Sequence, residues 1–391
     1  MKFYKILIIL LLATFSTYAQ TDRLTKSFNE YAFDLYSQIK TDNENLFISP
    51  LSTYYALLTA YEGARNDTKI EFQKVLNIDE PEYVSYFHDF FMNLMIWRDS
   101  SNYLSISNSL WLQKDFEINK IYEDKIKYEY YSDIKTIDFS TKDIAVKEMN
   151  YWVEKKTNGL IPKMLNTSDI NDSTKTVMIN TIYFIGTWES RFNKEFTKPD
   201  NFYSINHDKS EIDFMNKTEY LNYYENDDFQ FVKKNYEGYD KSLCIILPRK
   251  KYGLVDFEKN FTISILDTLI WRTADLQVEL SIPKFKLETS SSLRGPLQKL
   301  GLEKAFTPYA DFSGVTSEVP LMIDEIKHTA CIEIDEYKTV AAAGTFLSER
   351  IGSAGQGPKP KIFKADHPFL FMIIENKTNG IIFLGRYVQA E

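Results

Sequence analysis

The side chains that most often carry catalysis or bind metals are scarce in this chain and do not form the usual motifs. It has four histidines and two cysteines, and no H-E-x-x-H, C-x-x-C or G-x-S-x-G sequence occurs. Zinc hydrolysis and the nucleophile of α/β-hydrolases depend on such motifs. Gly352 and Gly357 are spaced like the start of a phosphate-binding loop, but Pro358 stands where the essential lysine would be. These patterns predict neither an enzyme nor a metal or cofactor site.

His328 has the most suggestive surroundings of the four histidines. It lies in the run 322–330, where the apolar residues Ile326 and Ala330 on either side of it are typical of a buried strand. A histidine in such a run serves more often as a hydrogen-bonded core residue than as a catalytic base. We therefore expect His328 to have a structural role.

One long segment, residues 337–360, differs in composition from the rest of the chain. Its first half holds Thr339 and the small residues 340–343, which are compatible with a β-strand. Its second half, rich in glycine and proline, is typical of a flexible linker. A loop of this length is uncommon in a compact domain unless it is functional or disordered, and the composition is compatible with both.

Apolar periodicity predicts the elements that must hold this segment. Helices are predicted over 24–39, from the cap Ser49 to Gly63, after a cap at Asp67, and over about 82–97, 142–156 and 293–300. Strands are predicted over 103–112, 177–185, 229–232, 243–247, 276–285, 321–334, 369–374 and 381–384. Helices concentrate early and strands late, without βαβ alternation. This arrangement favours one α+β domain with large, mostly antiparallel sheets.

Composition fits a globular protein, with 44% hydrophobic, 15% aromatic and 26% charged residues. The formal net charge of −9 argues against nucleic acid as a partner, because phosphate contacts need clustered lysine and arginine. Cys244 and Cys331 each lie in an apolar strand pattern, which favours two buried thiols over a disulfide.

Residues 1–19 resemble a secretory signal peptide. Lys2 and Lys5 precede the apolar run 6–13, and small residues precede a cut after Ala19. The alternative, a membrane anchor, needs about 20 apolar residues, more than this run contains. We expect residues 20–391 to be secreted and extracellular, or periplasmic in a Gram-negative host, and to be a monomer without membrane contact.

Nine stretches of the sequence resemble the serpin family in type and order. They are residues 45–52, 180–188, 283–285, 300–301, 310–314, 335–336, 339–343, 367–369 and 384–386. The resemblance spans about 24–388 and implies three β-sheets, eight or nine helices and an exposed reactive loop at about 337–360. It also implies the family's activity, in which a protease cuts the loop and stays attached as an acyl-enzyme. The cut loop then inserts as a strand of the main sheet and traps the protease.

The resemblance assigns roles to residues in three regions. The hinge of the loop comprises Glu336, Lys338, Thr339, Ala341, Ala342, Ala343 and Thr345. The shutter beneath the opening strands comprises Ser49, Ser52, Asn180 and His328. The breach, where insertion begins, contains Trp188 and Lys284, and Lys284 is expected to pair with Glu336. Strand side chains alternate, so an inward Thr339 places Ala341, Ala343, Thr345, Leu347, Glu349 and Ile351 on the same face.

The family's residue count from Glu336 implies a reactive bond at Gly352–Ser353. The nearby alternatives are cleavage after Ile351 and cleavage after Arg350. Serine proteases that prefer apolar residues are the favoured partners. Papain-like cysteine proteases, which read the apolar residue one step upstream, and trypsin-like proteases are the other partners.

Two residues depart from the pattern of inhibitory serpins. Lys338 stands where inhibitors usually carry glycine, which should stiffen the hinge. Glu349 falls on the inward face, where burial of a carboxylate is costly. Thr339 and the alanines after it support an inhibitor, whereas Lys338 and Glu349 favour the alternative of a non-inhibitory carrier, chaperone or storage serpin.

Overall fold

A computed structural model describes residues 22–78, 84, 87–88, 90–92, 102–171, 173–317, 320–337 and 359–390. Its helices are α1 (22–39), α2 (Pro50–Gly63), α3 (Asn66–Val75), α4 (Lys120–Tyr128), α5 (Lys142–Lys156), α6 (Leu254–Asn260), α7 (Ile263–Arg272) and α8 (Arg294–Lys299). Residues 84, 87, 88 and 90–92 are helical as well. None of the helices in the described ranges is long and apolar enough to cross a membrane.

The strands form two hydrogen-bonded sheets. They are β1 (Leu46–Ile48), β2 (Tyr103–Gln113), β3 (Asp133–Ile137), β4 (Thr176–Ile185), β5 (Lys198–Tyr203), β6 (Lys209–Glu225), β7 (Phe229–Asn235), β8 (Lys241–Pro248), β9 (Ala274–Pro283), β10 (Phe285–Ser292), β11 (Glu325–Ile334), β12 (Lys361–Lys364), β13 (Phe369–Glu375) and β14 (Ile381–Tyr387). The five-stranded sheet, called the main sheet here, has the order β10-β11-β4-β2-β3. The nine-stranded sheet has the order β1-β14-β13-β8-β7-β6-β9-β12, with β5 also paired to β6.

The single α+β domain predicted from the sequence is confirmed, and most strand pairs are antiparallel. The three sheets implied by the resemblance appear as two because β6 is shared. This strand of 17 residues pairs with β5 and β9 along most of its length and with β7 at its end. Two sheets are thereby joined into one hydrogen-bonded network.

The core lies between the two sheets and the N-terminal helices. Phe47 of β1 stacks on Phe383, with ring centroids 4.9 Å apart, and all residues of β14 are buried. A second apolar cluster lies under α5, where Met149 and Val153 belong to the same buried group as Val177 of β4. Helix α5 therefore covers the other face of the main sheet.

Helix α2 begins as the sequence predicts. Its cap is Ser49, whose hydroxyl oxygen accepts a hydrogen bond from the Ser52 N–H at 3.2 Å, and Pro50 occupies the first turn. The predicted cap of α3 at Asp67 is wrong, because the helix starts at Asn66 and the Asp67 carboxylate forms an ion pair with Lys304. The carboxylate that could have capped the helix is bound instead by Lys304, which is distant in sequence.

Two strand predictions need correction. The strand predicted from residue 321 begins only at Glu325, since the Asp324 carboxylate accepts hydrogen bonds from the N–H groups of Lys175 and Thr176. The strand predicted over 276–285 is divided at Lys284, between β9 and β10. The free thiols of Cys244 and Cys331 lie on β8 and β11, in different sheets.

Gly385 provides a test of the packing around β14. A Cβ atom there would lie 2.6 Å from the Phe371 ring and 2.7 Å from the Leu46 carbonyl oxygen. We expect Gly385→Ala to lower the free energy of unfolding by about 1–3 kcal/mol, because neither the buried ring nor the backbone can move away freely. Urea unfolding followed by circular dichroism measures the change. Gly295→Ala is the matched control, since its Cβ would meet no atom within 4 Å and alanine favours helix α8. Equal effects at the two glycines would contradict this packing.

Candidate functional site

The boundary between β4 and β11, here called the seam, is the centre of the main sheet. These two strands are parallel and pair from Val177 with Glu325 to Ile182 with Ala330. Beyond that point β4 continues beside β2 as far as Ile185, and β11 continues beside β10 as far as Ile334. Residues 183–185 and 331–334 do not pair with each other within the described strands. The seam is therefore closed at one end and open at the other.

The chain that leaves β11 lies across the open end of the seam. The indole N–H of Trp188 donates to the Asp335 carbonyl oxygen at 2.8 Å, and the Phe192 N–H donates to the Glu336 carbonyl oxygen at 3.0 Å. The Trp188 ring is buried and stacks on Tyr236, with centroids 4.7 Å apart. These contacts fix where the segment after Tyr337 starts.

Glu336 is held by two side chains from other elements. Lys284, between β9 and β10, forms an ion pair with it at 3.1 Å, and the Thr197 hydroxyl donates to its other carboxylate oxygen at 2.8 Å. Burial opposes ionisation of the carboxyl, but its hydrogen bonds and the Lys284 charge keep the pKa of Glu336 below its ordinary value. The structure thus contains the ion pair expected from the resemblance.

Lys234 of β7 contacts the Trp188 ring, and the sequence does not indicate this contact. Its ammonium group lies 5.4 Å from the centroid of the Trp188 ring, donates to the Ser190 carbonyl oxygen at 2.7 Å, and pairs with Glu219. Burial lowers the pKa of Lys234 to about 8 despite the carboxylate beside it. The region around Trp188 therefore includes a buried ion pair.

A buried polar cluster lies across the closed part of the seam. His328 of β11 and Asn180 of β4 are register partners, and their Nδ1 and Oδ1 atoms are 2.6 Å apart. The backbone N–H of Ser49 donates to His328 Nε2 at 3.1 Å, so the ring proton is on Nδ1 and is donated to Asn180. Burial lowers the pKa of His328 to about 3. The ring is neutral at physiological pH.

Asn180 connects this histidine to the helix beneath the sheet. Its amide nitrogen donates to the Ser52 hydroxyl at 2.6 Å and contacts the Asn108 side-chain oxygen at 2.5 Å. Ser49, Ser52, Asn180 and His328 are thus brought together as expected. Asn108 is an additional member that sequence reasoning missed. Its signal is the register, because Asn108, Asn180 and His328 form one row across β2, β4 and β11.

The arrangement allows two neighbouring strands of the main sheet to separate. A strand that enters the seam must break six paired positions and the bond between His328 and Asn180. The remaining residues assigned from the resemblance lie outside the described residues. They are Lys338, Thr339, Ala341, Ala342, Ala343, Thr345, Arg350, Ile351, Gly352 and Ser353.

Comparisons with known proteins agree with this geometry. The family model described as serpin (serine protease inhibitor) matches residues 26–390. A serpin-like protein of Thermococcus kodakarensis is 34% identical over 95% of this chain and 87% of its own length. The leukocyte elastase inhibitor of Xenopus laevis is 33% identical over 94% of this chain and 99% of its own length.

A solved structure shows the same architecture. The crystal structure of the thermophilic serpin tengpin in the native state is similar with a TM-score of 0.85 at 30% identity, and the match covers 94% of each chain. The family match over nearly the whole chain and the shared fold lead to one conclusion. The chain belongs to the serpin family, whose members are generally protease inhibitors rather than enzymes.

Proposed function

We propose that this protein is a secreted protease inhibitor that acts as a suicide substrate. The observation that carries the proposal is the parallel seam, whose open end lies where the segment 338–358 begins. A protease cuts the loop and forms an acyl-enzyme. The freed segment turns back into the seam and carries the attached protease with it.

The seam gives this insertion a favourable energy. Because β4 and β11 are parallel, a chain that reverses after β11 runs antiparallel to both. One parallel pairing is then replaced by two antiparallel pairings, which are slightly more stable for each residue. The net gain is on the order of ten hydrogen bonds, or roughly 5–15 kcal/mol before the entropy of ordering the loop.

The register of β11 supports the expected orientation of the loop side chains. Ile332 and Ile334 are buried, so even-numbered residues of β11 face the core. A two-residue turn at Glu336 and Tyr337 would place Thr339 opposite Ile334, on the same face. Thr339 and Ala341 then face inward, and Ala342 faces outward. Formation of this turn requires release of the contacts that hold Glu336.

A named relative and the loop sequence bear on inhibition and on the class of target protease. The relative from Xenopus laevis is named a leukocyte elastase inhibitor. Elastase-like pockets accept modest apolar side chains, so cleavage after Ile351, the alternative one residue before Gly352–Ser353, suits such enzymes. We therefore favour a serine protease that prefers apolar residues as the target. Lys338 favours the alternative, a non-inhibitory serpin acting as a carrier, chaperone or storage protein, because it replaces the usual hinge glycine.

Export is part of the proposal. Residues 1–19 have the charge and apolar pattern of a signal peptide, and they lie outside the described residues. Mass spectrometry of the protein released by its host would show a first residue of Gln20.

Incubation with elastase, papain and trypsin tests the inhibitory function directly. An inhibitor forms a complex that survives boiling in detergent, whereas a carrier or storage protein yields only clipped chain. Clipping without a complex by every protease in a broad panel would contradict the proposal.

Cleavage within the loop should raise the melting temperature by about 10 °C or more, since the inserted strand adds roughly 5–15 kcal/mol of pairing. Calorimetry of the intact protein and of the protein cut within 345–353 measures the difference. An unchanged melting temperature would show that the loop does not insert and would favour the carrier.

Ala341→Arg should convert the inhibitor into a substrate, because its guanidinium must be desolvated on the inward face during insertion. Ala342→Arg is the matched control, with the same charge one residue away on the outward face. The number of inhibitor molecules consumed for each protease molecule trapped should rise several-fold only for Ala341→Arg. The same rise for both variants would refute the inward and outward assignment.

The C-terminal fragment released from a trapped complex should begin at Ser353, or at Gly352 if the cut is one residue earlier. The length of strand between Glu336 and the cut sets how far the protease is carried, so a shorter strand traps less well. Mass spectrometry of the denatured complex identifies the fragment. A fragment that begins at Ile351 would instead indicate a trypsin-like target and overturn the preference for apolar residues.

A further inference from the structure

A group of exposed side chains lies on β6, β9 and β12, at the edge of the nine-stranded sheet. Tyr220 and Ile362 are 68% and 66% exposed. Glu279 of β9 is the register partner of both Thr218 and Ile362, so these three residues form one row across the strands. Tyr220 lies two residues along β6 from Thr218 and therefore faces the same side. The name "β12 face" is used below for Thr218, Tyr220, Asp275, Gln277, Glu279 and Ile362.

The β12 face carries acidic charge without compensation. Asp275 and Glu279 are exposed on the same side of β9, and neither forms an ion pair within the part of the chain that the structure describes. The lysines of β12 have other partners, since Lys361 pairs with Glu225 at 2.8 Å and Lys364 pairs with Asp200 at 2.6 Å. The face thus presents two apolar side chains and two free carboxylates.

The position of β12 places this surface next to the loop. Lys361 begins β12 and follows Gly352 by only nine residues. A chain spans at most about 3.5 Å per residue, so the expected reactive bond lies within about 32 Å of β12. A protease domain of roughly 220 residues is about 40 Å across. The body of a protease that holds the loop in its active site can therefore reach the β12 face.

We propose that the β12 face binds the body of the attacking protease through a basic surface beside the active site of that protease. The identity of this partner rests on the proposed function, in which the loop is what the protease cuts. Free carboxylates fit a cationic surface and steer its approach, and an exposed tyrosine supplies contact area. A second copy of this chain fits less well, because two acidic faces repel each other.

The β12 face should consequently select among proteases that share one primary specificity. Cationic and anionic trypsin are suitable probes, because they have the same fold and the same preference for arginine but opposite net charge. We expect both to cut after Arg350, whether or not they are then trapped, because both prefer arginine. The second-order rate constant of that cut, measured by mass spectrometry, reports on docking independently of inhibition.

We expect Glu279→Lys to slow cutting by cationic trypsin about five-fold or more at low salt, with a smaller effect at about 300 mM salt. The same variant should not slow anionic trypsin. Tyr220→Ser should slow both enzymes about three-fold, because it removes contact area rather than charge. Glu148→Lys and Tyr151→Ser on α5 are matched controls, since they make the same two changes at exposed positions on another element. We expect both controls to react at the wild-type rate.

Wild-type rates for both β12-face variants would overturn the proposal. Slowing of both trypsins by the same factor at every salt concentration in Glu279→Lys would also overturn it. This outcome requires that Glu279→Gln melts like the wild type and is cut more slowly by the same factor. A change in sedimentation without a change in rate would identify the face as a self-association surface. Cutting without any detergent-stable complex would instead count against the inhibitory function alone, because the comparison of rates would still stand.

Discussion

The parallel pairing of β4 with β11 is the constraint on which the rest of the structure depends. Each of the two strands has an antiparallel neighbour on its outer side, and β4 pairs ten of its residues with β2 but only six with β11. The seam therefore has fewer paired positions than the antiparallel pairing on either side of it, and it can open while both halves keep their own hydrogen bonds. A third strand antiparallel to both edges fits only if the chain reverses at the open end, which is where Glu336 lies.

The middle of the seam is polar where an apolar pair would have packed more simply. His328 and Asn180 form a hydrogen bond with each other across the boundary, and Ser49 and Ser52, at the start of α2, form further hydrogen bonds with them. Because burial keeps His328 neutral, separation of the strands exposes no unpaired charge. Its cost is the exchange of hydrogen-bond partners, which the backbone of an arriving strand can supply. Such a cluster fixes the register of the closed sheet and still permits it to open.

Elements marked by local signals could be predicted from the sequence. The Ser49 cap and the apolar runs of β8 and β13 are such signals, and α5 was predicted with its observed bounds. The strands β3, β5, β6 and β10 were not predicted, because their partly polar sequences become strands through pairing with neighbours. The resemblance supplied the shutter residues and the ion pair of Lys284 with Glu336. It did not supply Asn108 or Lys234, whose contacts arise from strand register. Lys234 reads as a surface lysine, yet its side chain is only 3% exposed.

The edge strand β12 has a consequence for the timing of any rearrangement. It is anchored by pairing with β9 and by the ion pairs of Lys361 and Lys364. The described residues on both sides of 338–358 are therefore held in place by contacts with the sheets. If the loop inserts as proposed, an uncut chain must first strip β12 from the sheet, whereas one peptide cleavage removes that requirement. The lifetime of the intact form then depends on how firmly β12 is held, and the free energy released on insertion depends on the seam. Substitutions at these two places can therefore change the two quantities separately.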